Sequence, residues 1–318
     1  MKILITGAAG FIGSHAAEAL KQQGYDVTGI DNFSAYYDVK LKEHTAFVLK
    51  ELGINVLRAD LADEKVYSRL PADFDYIFHF AAQPGISSDV SFEEYLRNNF
   101  IATKYLLAFA KKNATLRLFV NISTSSVYGK DATGDEETVP QPFSYYGVTK
   151  LAGEQLALSY ARAGTLKACS LRLFSVYGPR ERPDKLYTKL ISCIINSKPF
   201  PLYEGSEKHV RSFTYVGDIV KGILAVISKE DICNGEIINI GTETEHTTKY
   251  GIATAEAMLG KKALLNVLPA RPGDQLRTKA NIEKAKEMLD YTASTTLEEG
   301  LSQQIDWYKK YFAAANGS

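Results

Sequence analysis

The segment Gly7-Ala8-Ala9-Gly10-Phe11-Ile12-Gly13 constrains this chain more than any other. It follows the apolar run Ile3–Thr6 and opens a helical pattern over Phe11–Gln23, so a buried strand turns directly into a helix. Glycines at such a turn let the backbone approach an anion closely, and the helix N-terminus offers it free N–H groups and a partial positive charge. The next strand pattern, Asp26–Ile30, ends on Asp31. An acid there accepts hydrogen bonds from an adenosine ribose and repels a 2′-phosphate. The residues point to a dinucleotide, and to NAD rather than NADP. Taken alone, the glycines read only as a structural turn and Asp31 as a cap.

Beyond this turn, short apolar runs alternate with helical patterns. Val56–Ala59, Tyr76–Phe80, Leu116–Ile122 and Lys167–Leu173 read as strands. Ala46–Leu52, about 92–112 and Tyr146–Arg162 read as helices. Such alternation implies parallel strands joined by right-handed crossovers, a doubly wound α/β sheet of Rossmann type. The continuously apolar Tyr76-Ile77-Phe78-His79-Phe80 fits a strand covered on both faces. After about residue 175 the elements shorten and prolines cluster. The expected division is a dinucleotide-binding unit over 1–175 and a smaller α/β substrate region over 176–312. Return strands of the sheet are expected within 210–242, at Ile237–Ile240.

The 318 residues carry a formal net charge of +0, so no global field attracts nucleic acid or an anionic membrane. An anionic substrate must be met by local arginines. Cys169, Cys193 and Cys233 fit no metal spacing and read as buried thiols of a reducing compartment; no metal site is expected. No apolar run reaches the ~18 residues of a membrane span. Met1–Ile5 runs straight into the glycine turn without the apolar stretch of a secretory leader. The expectation is a cytoplasmic protein.

Tyr146-Gly147-Val148-Thr149-Lys150 places a phenol and an ammonium one helical turn apart on one face. A free phenol, with a pKa near ~10, is a poor base at neutral pH. A cation beside it favours the phenolate, so Lys150 is expected to lower the Tyr146 pKa. A phenol so tuned can take a proton from a sugar hydroxyl. Upstream, Asn121-Ile122-Ser123-Thr124-Ser125-Ser126-Val127-Tyr128-Gly129 ends a strand in hydroxyls, where ligands of a doubly wound sheet sit. The same hydroxyls also suit a turn that bonds its own backbone.

These segments together resemble the extended short-chain dehydrogenase/reductase family, the NAD-dependent nucleotide-sugar epimerases and dehydratases. The glycine spacing is that family's variant, and the resemblance covers nearly the whole chain. It implies NAD held by Gly7, Gly10, Phe11, Ile12, Gly13, Asp31, Asn32, Asp60, Leu61, Phe80, Ala81, Ala82, Gln83, Asn99, Tyr146 and Lys150. It implies Thr124, Tyr146 and Lys150 as the catalytic set, with Ser125 and Ser126 close to the substrate. Arg211-Ser212-Phe213-Thr214-Tyr215-Val216-Gly217-Asp218 and Arg271-Pro272-Gly273-Asp274 resemble the motifs whose arginines meet a diphosphate, with Asp274 on the nucleoside ribose. Two guanidinium forks suit one diphosphate.

Family members that dehydrate or decarboxylate the sugar carry an acid beside the catalytic Thr. Here Ser125 and Ser126 follow Thr124, which leaves 4-epimerisation: transient oxidation at C4, rotation of the 4-keto sugar and hydride return. Ile30–Lys42 and Gly178–Asp184 look most like UDP-glucuronate 4-epimerases, and Ser175 and Arg182 fall where that group contacts substrate. One position departs: Ser87 stands where the group usually has Arg. UDP-glucose or UDP-N-acetylglucosamine therefore remains an alternative substrate. A 4-keto nucleotide-sugar reductase would use the same residues, and a non-catalytic NAD-binding regulator would not need all three catalytic ones. The resemblance also implies a homodimer paired through the helices at about 92–112 and 146–162.

Overall fold

The computed structural model describes residues 1–87, 89–270 and 275–313. Its centre is a seven-stranded parallel sheet. From edge to edge the strands are Ile237–Ile240, Ala168–Leu173, Leu118–Thr124, Tyr76–His79, Lys2–Thr6, Asp26–Asp31 and Asn55–Arg58. Strand order reverses between Lys2–Thr6 and Tyr76–His79, and a cleft opens there at the carboxyl ends of the strands.

Strands 76–79, 118–124 and 168–173 are buried along their whole length. Alternate side chains serve opposite layers. Ile3, Ile5, Phe78 and Val120 pack with Ala16 and Leu20 of helix Phe11–Gln22 and with Ile219 and Ile223 of helix Val216–Leu224. Leu4, Ile77 and Phe119 pack on the other face with Leu106, Leu107 and Ala157. That two-sided apolar pattern makes the sheet parallel and central, as expected. The strand Ile237–Ile240 pairs with Ala168–Leu173, Ile237 opposite Ser170.

Two helices differ from expectation. The one placed at Ala46–Leu52 begins at Val39, because the Asp38 side chain accepts the Lys40 N–H at 3.0 Å and caps it. The long helix at about 92–112 is broken: Arg97–Ile101 is a π turn between Phe92–Leu96 and Ala102–Ala110. Such bulges pass periodicity rules unnoticed and recur at functional sites.

Beyond residue 175, helices Leu186–Ile195, Thr248–Leu259 and Leu297–Tyr308 surround a separate apolar cluster of Tyr177, Tyr187, Leu190, Phe200, Ile252 and Leu301. Small sheets, among them Pro199–Tyr203 with Leu264–Leu268, complete this part.

Candidate active site

The cleft has a volume of about 600 Å³ and runs from the glycine turn to the loops after residue 175. At its first end, Gly7 has φ 70°, and a Cβ there would sit 2.9 Å from Ala81 N. A Cβ on Gly13 would meet Gly7 O at 2.3 Å, so the helix can start this close to the strand only without a side chain there. Gly10 is the N-cap of helix Phe11–Gln22, and no side chain caps that terminus. Its first N–H groups are available to an anion.

Asp31 is buried and lines the cleft. Its carboxylate accepts the Phe33 N–H at 2.8 Å and the Ala9 N–H at 3.1 Å, which fixes its orientation and ties the second strand to the glycine turn. Burial pushes its pKa up; Lys42 and the two N–H groups pull against that. Asn32 is exposed, beside it on the cleft wall. Asp60 and Leu61 line the same end, and Asp60 pairs with Arg97 at 2.8 Å. Phe80, Ala81, Ala82 and Gln83 form the floor toward the centre. Asn99 lies behind that floor. Its side chain accepts the Gln83 N–H at 2.7 Å and donates to Gln83 O and to Thr149 Oγ1. The π turn aims it there, joining the floor to the helix Tyr145–Arg162. Uncapped helix terminus, glycine cradle and oriented acid fit a dinucleotide.

In the middle of the cleft, Thr124 ends the strand 118–124, and its Oγ1 accepts the Ser126 N–H at 3.2 Å to start the turn Ser125–Tyr128. Helix Tyr145–Arg162 packs on that turn, with Ser144 capping it through Gly147 N–H. A Cβ on Gly147 would lie 2.8 Å from Ser126 O. The glycine between Tyr146 and Lys150 thus lets the helix seat against the hydroxyl turn. Thr124, Ser125, Ser126, Tyr146 and Lys150 all face the cleft.

The electrostatics correct one expectation. Burial raises the Tyr146 pKa, while the Thr124 hydrogen bond and the charge of Arg182 oppose the rise. The protein by itself does not lower this phenol. Lys150 donates to the Ile122 carbonyl at 2.5 Å, and burial pulls its own pKa down to about 8. Helical spacing puts the two side chains on one face, but burial dominates the titration of each, and the groups that oppose the Tyr146 rise are Thr124 and Arg182.

At the far end, Ser175 lies in a left-handed conformation (φ 36°) with its hydroxyl 3.2 Å from Thr278 Oγ1. Arg182 reaches the cleft beside Gly85. Its fork engages Asp184 at 3.1 and 3.0 Å, and its guanidinium lies over the Tyr36 ring at 5.3 Å. A Cβ on Gly85 would meet it at 3.0 Å. Arg211 lines the cleft and donates to Gln275 O at 2.6 Å. Arg271 and Asp274 lie outside the described residues. Lys42, Lys185, His209 and Gln275 also face the cleft without a motif to mark them. Lys42 stands within the stretch Ile30–Lys42, and its spacing carries no periodic signal.

This geometry has a known counterpart. Residues 3–241 match the family described as the NAD dependent epimerase/dehydratase family. The chain belongs to that family. It is 39% identical to an uncharacterized UDP-glucose epimerase, YtcB, of Bacillus subtilis, over 98% of this chain and 99% of that protein. It is 34% identical to UDP-glucuronate 4-epimerase 1 of Arabidopsis thaliana, over 98% of this chain and 77% of that one. Among solved structures, UDP-glucuronic acid 4-epimerase from Bacillus cereus in complex with UDP-glucuronic acid and NAD superposes with a TM-score of 0.90 at 36% identity. That match covers 98% of this chain and 100% of the other. As a family member the chain has its glycine turn, hydroxyl turn and Tyr146/Lys150 helix on one cleft at the switch point of the sheet.

Proposed function

We propose that this chain is an NAD-dependent 4-epimerase of a UDP-sugar, an isomerase that interconverts UDP-glucuronate and UDP-galacturonate. The observation that carries the reading is the convergence of Thr124, Tyr146 and Lys150 on a cleft whose adjacent turn holds Ser125 and Ser126 and no carboxylate. An elimination needs an acid for its leaving hydroxyl; an epimerisation needs one base that takes and returns a proton.

Residues 1–175 with the strand Ile237–Ile240 hold NAD, and 176–312 mainly the nucleotide sugar. Gly7, Gly10 and Gly13 with the helix terminus take the pyrophosphate, Asp31 and Asn32 the adenosine ribose, Asp60 and Leu61 the adenine. Phe80–Gln83 and Lys150 take the nicotinamide riboside, with Asn99 fixing Gln83 from behind. Bound NAD⁺ supplies a hydride acceptor and donor at C4 and a positive charge that favours the phenolate of Tyr146. Tyr146 removes the C4 hydroxyl proton and later returns it. Thr124 hydrogen-bonds the same oxygen throughout. Because the products differ only at C4, the wall must accept the 4-keto sugar on either face. Hydroxyls suit this, since Ser125 and Ser126 donate or accept in many orientations. Arg211 and Arg271 hold the diphosphate, Asp274 the nucleoside ribose, and Ser175 and Arg182 the sugar end.

A neutral hexose is the second reading, supported by Ser87 and by Asp184 partly neutralising Arg182. The test is an NMR time course with UDP-glucuronate and, separately, UDP-glucose, with no cofactor added. Conversion of one to its galacto epimer without net NADH consumption supports the epimerase and names the sugar. Consumption of NADH with a 4-keto sugar would replace it with a reductase.

The enzyme is proposed to be a cytoplasmic homodimer. Phe92, Tyr145 and Val148 are exposed apolar groups at the helices expected to pair, and the described Cys169, Cys193 and Cys233 form no disulfide. Among the described residues no helix is long and apolar enough to cross a membrane. A monomeric mass by light scattering would remove the dimer.

A further inference from the structure

The helical stripe of Tyr146 and Lys150 continues to Glu154, one more turn along the same face and fully buried. A carboxylate taken out of water needs partners. Arg172 supplies two, donating from Nε at 3.1 Å and Nη2 at 2.6 Å; Ser170 donates a third bond at 3.2 Å. Asn121 donates to Ser170 at 2.9 Å, so the pair is stitched across two central strands. The Arg172 guanidinium also lies over the Tyr128 ring at 4.8 Å, and the Tyr128 hydroxyl donates to Asn239 at 2.8 Å. Tyr128 closes the turn that carries Ser125 and Ser126. One buried network therefore joins the Tyr146/Lys150 helix to the hydroxyl turn. Relative to apolar residues of equal volume, a buried ion pair adds little or negative stability. Its place behind Lys150 points to orientation instead.

We propose that Glu154 is a positioning residue: clamped by Arg172 and Ser170, its carboxylate keeps the Lys150 ammonium charged and aimed at the end of the central strand. Lys150 Nζ does meet the Ile122 carbonyl there. Burial pulls Lys150 down to about 8, and Glu154 opposes the fall. The other groups around Lys150 do not replace it. Tyr146 on the same helix is protonated, its pKa raised by burial. His79, on the strand Tyr76–His79, is held neutral by burial with its pKa near 3. Arg172, on Ala168–Leu173, is bound to Glu154 itself. The strand Leu118–Thr124 offers the Ile122 carbonyl.

The proposal rests on the epimerase reading only for the use of Lys150 in turnover, so its test reads Lys150 directly. Protein with ¹³C-labelled lysine is titrated by NMR, the Lys150 signal assigned through Lys150→Arg. In Glu154→Gln the Lys150 midpoint should fall by about one pH unit or more, and the alkaline limb of kcat should fall with it. If Glu154→Gln does not fold, Glu154→Gln with Arg172→Gln removes both charges, and the midpoint should again fall. An unmoved midpoint in a folded variant, with activity reduced equally at every pH, makes Glu154 a core residue only and overturns the proposal. A shifted midpoint in a protein with no epimerase activity would support the clamp and remove the function.

Discussion

The two ends of the cleft are built from different materials. The dinucleotide end is made of backbone: a glycine turn, an uncapped helix terminus and strand ends in a sheet of fixed register. The sugar end is made of long side chains: Arg182 and Lys185 from the segment leading into helix Leu186–Ile195, and Arg211 from a short strand. Backbone sites are rigid, because moving them means moving the sheet. Side-chain sites can be retuned one residue at a time, which is how one fold serves several nucleotide sugars. At the sugar end Arg182 is held in place by Asp184 and Tyr36 and packs closely over Gly85, which has no side chain to displace it.

Substitutions can break this contrast. Between the two ends, Tyr146→Phe should cut kcat by about 10³-fold or more while NAD still binds, since the lost group is the proton carrier. Retained turnover would sink Tyr146 as the base. At the backbone end, Gly13→Ala forces a Cβ into Gly7 O. It should destabilise the fold by about 1–3 kcal/mol and weaken NAD and substrate together, read by thermal melts and NAD titration. At the side-chain end, Arg182→Leu should raise the KM for the nucleotide sugar by about 10–100-fold, as expected for a charged hydrogen bond, with the NAD Kd and melting temperature unchanged. Loss of NAD binding in that variant would mean the two ends are not separable. The smallest effect belongs to Ser87→Arg, which should shift the ratio of kcat/KM toward UDP-glucuronate over UDP-glucose by about tenfold or less, the size of a partly exposed ion pair.

Much of the dinucleotide end was legible because each of its signals is local. Gly7, Gly10 and Gly13 lie within one turn, and Asp31 follows from the end of the next strand pattern. Tyr146 and Lys150 share a face by helical spacing alone. The early start of helix Val39–Glu51 escaped because its cap, Asp38, follows a run of tyrosines with no periodicity. The π turn at Arg97–Ile101 escaped because one inserted residue leaves an apolar pattern looking helical. Asn99 was marked by resemblance, yet its bonds to Gln83 and Thr149 depend on that bulge. Glu154 went unmarked, and it is the structure that shows it buried one turn beyond Lys150 and paired with Arg172.

By itself the sequence determined the class of sheet, the first crossover, the family and the shared face of Tyr146 and Lys150, all set by periodicity and by glycine stereochemistry over a few residues. Only the tertiary structure decided the charge state of that face. A pKa is set by what surrounds a group in three dimensions, and here burial raises Tyr146 and lowers Lys150 against every nearby charge. It also decided that Arg172, on the strand that follows the catalytic helix, turns back onto that helix at Glu154, because the crossover packs the helix against the sheet its own next strand joins.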